Sequence, residues 1–374
     1  MKELVPYFSW WRTTVVRDRE IVDAAVAPEH RDSPQFHEAL DRWKGRKYWA
    51  NEDGEGRITL IRVLRPAPRE RWVLHLALFA LTFVTVFYGG ALLNEVFVPL
   101  PFTIERLQEG LGYLSDALRG STELTAALDF ALGLMAILLA HETGHYVVAK
   151  YYKINASPPY FLPAPWPVNF VGTFGAFIRL RSPIVDRRQL LDVGAAGPWA
   201  GFAVAVLALV VGLRGSSVVS AAGATEQFVV IGADLHLFLG NSVLMTALRA
   251  LVVGEGTVHL SPLAFAGWVG VLVTMLNLLP LGQLDGGHVV YALFGEKQRV
   301  IGVIALLALV GLGFLPNQWW WWVWAFLILV LGRGRLGHPQ VLDRHRKLPR
   351  SRTPLGWATA LLFVATFTPV PIHY

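Results

Sequence analysis

The sequence predicts an all-α polytopic membrane protein with about six to seven transmembrane helices, a small re-entrant β-hairpin and a small N-terminal α+β appendage. The composition is the first observation: 54% of the 374 residues are hydrophobic and only 16% are charged, whereas soluble domains carry about 25% charged residues. The second is a series of apolar runs, most of them near the roughly 20 residues that a spanning helix needs. Cysteine is absent, which excludes disulfides and thiolate metal sites.

Residues 1–70 form a polar N-terminal region that precedes the first apolar run. Residues 33–43 are typical of a short capped helix. Residues 47–50 and 58–63, on either side of a turn rich in Gly, Asp and Glu, predict a β-hairpin. This stretch is too short for a large core. We therefore expect a small cytosolic appendage, and its sequence indicates no particular function.

Apolar runs dominate the rest of the chain. They lie near residues 72–94, 125–150, 190–212, 257–280, 298–315, 317–332 and 355–371. The last three are short or closely spaced, so the count of seven holds to within about one. The first four spans belong to a membrane core at 71–295. C-terminal transmembrane helices with a basic cytosolic loop follow at 296–374.

Basic residues indicate the orientation, because cytosolic loops of membrane proteins carry an excess of Lys and Arg. Four arginines lie between residues 62 and 71, segment 150–189 is basic, and so is the loop after the sixth span. Segments 95–124 and 213–256 hold few basic residues and are expected on the outer face. The sequence thus predicts a multi-pass integral protein with a cytosolic N-terminus, and we expect it in a bacterial inner membrane. The lipid bilayer is its expected surroundings, and no nucleic-acid partner is expected, because the basic residues lie beside apolar spans.

A motif of the form His-Glu-x-x-His lies inside the second predicted span. His141 and His145 are four residues apart, so they project from one helix face at the spacing that grips a metal ion. Glu142 between them is placed to poise a metal-bound water for attack. The alternative is that these polar residues cap a buried helix. Ionisable residues within a span are costly and are usually functional, which favours the metal site.

The segment 154–181 departs from the helical pattern. Five prolines between residues 158 and 167 exclude a regular helix. Residues 171–180 predict a strand or hairpin whose glycines let another backbone approach closely. Non-helical backbone at membrane depth must be covered by protein or line a cavity, so we predict a re-entrant hairpin here.

A catalytic zinc takes three protein ligands and leaves its fourth position to water, so a third ligand is needed. The candidates are His75, His236, His259, His288, His338, Asp129, Asp192 and Asp285. Asp129 lies about three helical turns from His141, too far to share an ion, and Asp192 is expected to cap the third span. Asp285 follows a stretch broken by Pro and Gly at the cytosolic end of the fourth span, and broken membrane helices tend to build binding sites. We therefore favour Asp285, with His288 as its rival.

Four motifs, taken in order, resemble the site-2 protease family of intramembrane zinc metalloproteases, in a compact type without a PDZ domain. They are His141-Glu142-x-x-His145, Gly-Thr-Phe-Gly-Ala at 172–176, Gly-Ala-Ala-Gly-Pro at 194–198, and Asn277-x-x-Pro280-x-x-x-Leu284-Asp285-Gly286. The resemblance covers about 125–295 and implies one zinc ion held by His141, His145 and Asp285, with Glu142 as general base.

The resemblance also assigns two elements that would contact substrate. Asn277 corresponds to an asparagine that helps to hold substrate or to stabilise the oxyanion. Gly172, Thr173, Phe174 and Gly175 correspond to a β element that could bind an unwound substrate helix as an added strand.

The activity that the resemblance implies is hydrolysis of a peptide bond within or near the transmembrane segment of membrane-protein substrates, in regulated intramembrane proteolysis. The expected partner is a single-span membrane protein that another protease has already trimmed. Two alternatives make different predictions. A membrane metal transporter would spread its metal ligands over several depths, whereas here they concentrate at one. A non-catalytic membrane scaffold derived from the protease would have a damaged motif, whereas this one is intact.

Overall fold

The computed structural model describes ten stretches of the chain, which are residues 1–16, 19–49, 56–64, 69–93, 122–165, 168–219, 228–231, 236–339, 341–343 and 346–373. The hairpin turn predicted at 51–55 and most of the outer segment predicted at 95–124 lie outside these residues. Within the described residues, helices make up most of the structure and strands form three separate sheets.

The N-terminal region is a four-stranded antiparallel sheet with one helix. The strands β1 (Phe8–Val16), β2 (Arg19–Val26), β3 (Arg46–Trp49) and β4 (Arg57–Val63) follow the order β1-β2-β4-β3. The predicted hairpin is confirmed, because β3 pairs with β4 and Trp49 lies opposite Ile58. The predicted short helix is also confirmed as α1 (Pro34–Asp41), and the Ser33 side chain caps it by accepting a backbone N–H of its first turn.

Three helices of the described chain are long and apolar enough to cross a membrane. They are α2 (Trp72–Leu93), α3 (Thr122–Tyr151) and α4 (Arg187–Arg214). Shorter helices follow as α5 (Val243–Val252), α6 (Pro262–Asn277), α7 (Asp285–Phe294), α8 (Gln298–Leu312), α9 (Trp320–Leu331) and α10 (Thr353–Thr366). The predicted spans from residue 257 onward therefore correspond to helices that are shorter than predicted. The fourth, for instance, ends at Asn277 because Pro280 and Gly282 follow it.

Small residues let α3, α4 and α6 pack closely. A Cβ atom on Gly144 of α3 would lie 2.5 Å from the carbonyl oxygen of Ala196 on α4. One on Gly212 of α4 would lie 2.3 Å from the backbone nitrogen of Ala264 in α6. Such contacts are typical of helices that associate in membranes. As a result, side chains of α3 lie directly against the backbone of α4.

The predicted re-entrant segment contains a two-stranded antiparallel sheet of β5 (Tyr160–Pro163) and β6 (Thr173–Phe177). Gly172, just before β6, has a φ of +88°, and a Cβ atom there would lie 2.2 Å from the carbonyl oxygen of Thr85 on α2. The hydroxyl of Thr85 donates to the Gly172 carbonyl at 2.7 Å. The close backbone approach expected from the glycines is confirmed, and it joins the sheet to α2.

The described parts of the predicted outer loop at 213–256 contain strands and the helix α5. Its strands are β7 (Ser217–Val219), β8 (Phe228–Ile231) and β9 (His236–Leu239), and they join β10 (Thr257–His259) and β11 (Ile372–His373) in the order β11-β9-β8-β10-β7. Phe228, Leu239 and Val258 are buried in the main core of the molecule. The candidate ligands His236 and His259 belong to strands that lie between α4 and α6 in the sequence. Neither belongs to a group of three potential metal ligands among the described residues.

The basic C-terminal loop pairs with acidic residues of α4. Arg346 donates to Asp186 at 3.2 Å, and Arg352 lies 3.0 Å from Asp192. The expectation that Asp192 caps the third span was wrong. Asp186 is the N-cap, accepting a hydrogen bond from the Gln189 N–H at 2.9 Å, so the helix begins at Arg187 and Asp192 lies within it. Its position inside the helix leaves the Asp192 carboxylate free to bind Arg352 and the Tyr152 hydroxyl.

The N-terminal sheet rests on the end of α3 and on the segment before α4. Arg46 donates to the carbonyl oxygens of Tyr152 at 3.0 Å and Lys153 at 2.7 Å, just beyond the last turn of α3. Arg19 donates to the Ser182 hydroxyl at 2.7 Å. A small apolar cluster at the same junction consists of Ile21, Ile61 and Val185. The N-terminal region thus contacts the membrane region at the end of the helix that bears the His-Glu-x-x-His motif.

Candidate metal centre

Three side chains predicted as metal ligands converge at one point. The Nε2 atoms of His141 and His145, one turn apart on α3, are 3.1 Å from each other. Oδ2 of Asp285, the first residue of α7, lies 3.2 Å from each of them. Both histidines are buried, at 4% and 7% exposure. This is a group of three potential ligands whose donor atoms all lie within 4.8 Å of one another.

The imidazole of His145 is oriented by the backbone of α4. Its Nδ1 lies 2.7 Å from the carbonyl oxygen of Val193, and because a carbonyl only accepts, Nδ1 carries the proton. The lone pair of the neutral ring therefore sits on Nε2, which faces His141 and Asp285. Fixing the tautomer in this way is a general feature of metal-binding histidines.

Glycines on α4 make room for the two rings. A Cβ atom on Gly197 would lie 2.0 Å from Nε2 of His145, and one on Gly201 would lie 3.0 Å from the Cβ of His141. The Gly-Ala-Ala-Gly-Pro motif at 194–198 was noted in the sequence, but this role was not apparent from it. No local sequence pattern predicts that a glycine on one helix will face a histidine on another.

The donor set fits zinc. Zinc lies about 2.0–2.1 Å from imidazole nitrogens and carboxylate oxygens, so tetrahedral geometry places two ligand atoms about 3.3 Å apart. The observed separations of 3.1, 3.2 and 3.2 Å agree with this value. Two imidazoles and one carboxylate are the ligand set of several catalytic zinc sites, which keep a fourth position open.

Asp285 reaches the histidines because the chain between α6 and α7 is compact and non-helical. A Cβ atom on Gly286 would lie 1.9 Å from the carbonyl oxygen of Leu278, and one on Gly287 would lie 2.5 Å from that of Gly282. Only glycine lets the start of α7 pack this tightly onto the preceding loop. The Pro- and Gly-broken stretch seen in the sequence is this loop.

Glu142 follows His141 on α3 and interacts both with the three ligands and with Ile178. The residue is buried, at 5% exposure. Its carboxylate accepts a hydrogen bond from the backbone of Ile178, the residue after β6, and its charge interacts with His141, His145 and Asp285. The acidic group is therefore held beside the ligands by the edge of the sheet, a contact that sequence reasoning missed because it involves only the backbone of Ile178.

The other predicted site residues lie at the end of α6 and at the start of β6. Asn277 ends α6, and its Nδ2 is 3.4 Å from Nε2 of His141. The Thr173 hydroxyl donates to the Leu162 carbonyl at 2.8 Å and so holds the two strands together. Phe174 is 61% exposed. Gly175 has a φ of +94°, and a Cβ atom there would meet nothing within 4 Å.

The remaining candidate ligands are placed differently. His75 on α2 lies 2.9 Å from the Pro159 carbonyl and 4.2 Å, between ring centroids, from Tyr160, so it packs against the hairpin. His288 and His338 lie against each other with ring centroids 4.8 Å apart. In the part of the chain that the structure describes, neither belongs to a group of three potential metal ligands.

Comparison with known proteins agrees with this geometry. The sequence profile of peptidase family M50 matches residues 129–315, half of the chain. Similar curated proteins include two probable zinc metalloproteases of Arabidopsis thaliana chloroplasts, EGY1 (37% identical over 195 residues, 51% of this chain and 34% of the relative) and EGY2 (33% over 198 residues, 51% and 33%).

A third relative is the DDT domain-containing protein PTM of the same plant, 35% identical over 149 residues, which are 39% of this chain and 8% of the relative. The match with the two metalloproteases spans about a third of their length. No solved structure gives a significant match. With half of its length matched by the profile, the chain belongs to peptidase family M50, the site-2 protease family.

Proposed function

We propose that this chain is a zinc metalloprotease of the membrane that hydrolyses a peptide bond within or near the transmembrane segment of its substrates. The single observation that supports this most is the position of Asp285, whose Oδ2 is 3.2 Å from both imidazoles of the His-Glu-x-x-His motif. The motif itself lies on an apolar helix long enough to cross a membrane. Membership of peptidase family M50 and the similarity to probable zinc metalloproteases also support a zinc metalloprotease.

In this proposal His141, His145 and Asp285 hold one zinc ion. When bound, zinc supplies polarisation of the scissile carbonyl and a lower pKa for water at the site. The tautomer fixed by the Val193 carbonyl keeps Nε2 of His145 available as a ligand.

Glu142 is the proposed general base. It takes a proton from the attacking water and then returns it to the leaving amine, a role that requires one carboxylate beside the metal ligands. The hydrogen bond from the backbone of Ile178 holds this carboxylate in place. Burial of Glu142 keeps bulk water from competing for its oxygens.

Asn277 and the β5–β6 sheet are the proposed substrate contacts. The Asn277 amide lies 3.4 Å from Nε2 of His141 and is placed to donate to an oxyanion at the site. The residues Gly172, Thr173, Phe174 and Gly175 lie at the start of the strand that leads to Ile178 and Glu142. An unwound substrate helix could add to this strand by backbone hydrogen bonds, with the exposed ring of Phe174 contacting its side chains.

The proposed substrate is a single-span membrane protein that another protease has trimmed, in regulated intramembrane proteolysis. Because a helical peptide bond is shielded by hydrogen bonds and packing, small or helix-breaking residues near the cut are expected. We further propose six to seven spans, with a catalytic membrane core at 71–295 and C-terminal transmembrane helices at 296–374. We also propose that the N-terminal region at 1–70 lies on the cytosolic side, which the basic flanks of the first span support, and that the membrane is a bacterial inner membrane.

The test uses the full chain in detergent with a model single-span substrate. Glu142→Gln is expected to slow cleavage by about 10²- to 10⁴-fold, the usual contribution of a general base, while zinc content stays at one per chain. Asp129→Asn, on the same helix and exposed, is the matched control and should cleave at the wild-type rate. Cleavage by Glu142→Gln as fast as by the control would refute the proposal.

A further inference from the structure

The loop that delivers Asp285 is supported by residues far along the chain. This loop, residues 278–284, has short backbone hydrogen bonds of its own and buries Leu279 and Leu281 in an apolar cluster. Two of its backbone polar groups bind residues farther along the chain. The Gly282 N–H donates to the Leu336 carbonyl at 3.1 Å. The Pro280 carbonyl accepts a hydrogen bond at 3.3 Å from Nε2 of Gln298. Because Gly286 and Gly287 pack tightly on the same loop, a shift of the loop would move Asp285 with it.

Gln298 links this loop to a second segment. It is the first residue of α8 and is only 1% exposed. Besides Pro280, its Nε2 donates to the Leu336 carbonyl at 3.3 Å, and its Oε1 accepts from the His338 N–H at 2.8 Å. One buried amide therefore satisfies three backbone groups of two separate segments.

The second segment, which we call the C-terminal strap, consists of residues 336–339 and 341–343. Its other end is fixed to the residues before α4. The Leu342 N–H donates to the Ile184 carbonyl at 3.3 Å, and the Asp343 N–H donates to the Val185 carbonyl at 2.7 Å. Val341 is buried against Leu190 and Tyr291. The strap thus offers Gln298 a fixed anchor rather than a loose loop.

We propose that Gln298 is a positioning residue that holds Asp285 at the metal site by clasping its loop to the C-terminal strap. The inference rests on the proposed role of Asp285 as a zinc ligand. Removing the amide leaves the Pro280 carbonyl without its buried donor, and buried polar groups strongly favour rearrangements that restore a partner. Any such rearrangement displaces the loop and hence Asp285. Residues that orient metal ligands from outside typically change metal affinity by about 10- to 100-fold when replaced.

Two substitutions separate this role from general stability. Gln298→Met keeps the length of the side chain and removes all three hydrogen bonds. Gln298→Glu keeps the acceptor for the His338 N–H but, as a carboxylate, cannot donate to Pro280 or Leu336. The matched control is Gln318→Met, because Gln318 is also 1% exposed and also bonds at both ends of its amide, to the Ile372 carbonyl and the Trp320 indole.

Zinc affinity of the purified full chain, measured by competition with a chromogenic chelator, is the readout, alongside thermal unfolding. Both Gln298 variants are expected to bind zinc about 10- to 100-fold more weakly than wild type, whereas Gln318→Met lowers the unfolding temperature without changing zinc affinity. Wild-type zinc affinity in a folded Gln298→Glu protein would overturn the inference. So would failure of both Gln298 variants to fold while Gln318→Met folds, since the amide would then support the fold as a whole.

Asp285→Ala, measured in parallel, distinguishes failure of the proposed zinc ligand Asp285 from failure of the proposed role of Gln298. If it binds zinc as wild type does, the assignment of Asp285 fails and the role of Gln298 fails with it. If Asp285→Ala loses zinc and the Gln298 variants do not, only the role of Gln298 is overturned.

Discussion

Two pairs of histidines in this structure look alike at the level of ring packing. The rings of His141 and His145 lie 4.8 Å apart between centroids with an interplanar angle of 71°, and those of His288 and His338 lie 4.8 Å apart at 83°. The pairs differ in what surrounds the nitrogens. In the first pair both Nε2 atoms face the same oxygen of Asp285. In the second, Nδ1 of each ring is buried without a hydrogen-bond partner in the described part of the chain.

The difference indicates what makes a histidine pair a metal site. Proximity of two rings is not sufficient, since both pairs have it. The first pair has in addition a convergent carboxylate and, at His145, a backbone carbonyl that fixes the tautomer. The second pair packs beside Tyr291, whose ring lies 4.8 Å from that of His338, and has the features of a packing cluster next to the site.

The strongest contrast is expected between Asp285→Ala and His288→Ala. Loss of a direct ligand should weaken zinc binding by more than about 100-fold, the upper end of what outer-shell changes cause, whereas His288→Ala should retain one zinc per chain. Metal analysis of the purified variants after dialysis against a chelator measures this. Equal zinc loss in both variants would show that His288 is as important for zinc binding as Asp285.

Substitution of Asn277 tests whether a catalytic oxyanion donor lies beside the His141–His145 pair. Asn277→Ala is expected to slow cleavage by about 10²- to 10³-fold, as the loss of an oxyanion donor does, with zinc content unchanged. Gln283→Ala, an exposed residue of the neighbouring loop, serves as the control and should cleave normally. A comparable loss of zinc in Asn277→Ala would assign the residue to metal binding instead.

The glycines of α4 allow a matched comparison, because some of them face the first histidine pair and another faces the second. A Cβ atom on Gly197 would lie 2.0 Å from Nε2 of His145, whereas one on Gly194 would lie 2.7 Å from the Cβ of His288. Gly197→Ala should therefore lower zinc affinity by about 10- to 100-fold by displacing a ligand ring. Gly194→Ala should cost about 1–3 kcal/mol of stability through overpacking, and its zinc affinity should fall less than that of Gly197→Ala, because no ligand ring is contacted directly. The reverse order of zinc affinities in a chelator competition would contradict this account.

The smallest effect is expected for His338→Phe. The substitution removes a buried nitrogen that lacks a partner in the described structure and keeps a ring of similar size, so we expect a change below about 1.5 kcal/mol in the free energy of unfolding. The backbone N–H of residue 338, which binds Gln298, is unaffected. Chemical denaturation in detergent and zinc content are the measurements, and a large loss of zinc would give the second pair a role at the metal.

Local patterns predicted several elements because their causes are local. Ser33 caps α1 with its own side chain, and two short stretches on either side of a turn predicted the pairing of β3 with β4. Segment 213–256 was expected on the outer face with no strands assigned to it, and it contributes strands to a five-stranded sheet. That sheet includes β11 from the end of the chain, and a partner strand more than a hundred residues away leaves no signal in a short window.

The sequence predicted the boundaries of helices less well than it predicted their presence. Asp192 was expected at the start of the third span, but Asp186 caps it. Both aspartates precede or lie near the same apolar run, and each binds an arginine of the C-terminal loop. What distinguishes them is the hydrogen bond that Asp186 accepts from the Gln189 N–H. An acidic residue near an apolar run is therefore an ambiguous cap until the first residue of the helix is known.

From the sequence alone came the membrane composition, the apolar helix and the spacing that puts His141 and His145 on one face. These follow from properties of neighbouring residues, which a helix converts directly into geometry. Only the tertiary structure decided that Asp285 meets both rings, that the Val193 carbonyl orients one of them and that Gln298 clasps the loop behind Asp285. These contacts join residues 18 to 144 positions apart, and two of them end on backbone carbonyls, which any residue type offers. They therefore arise from the packing of helices and loops and not from any local pattern.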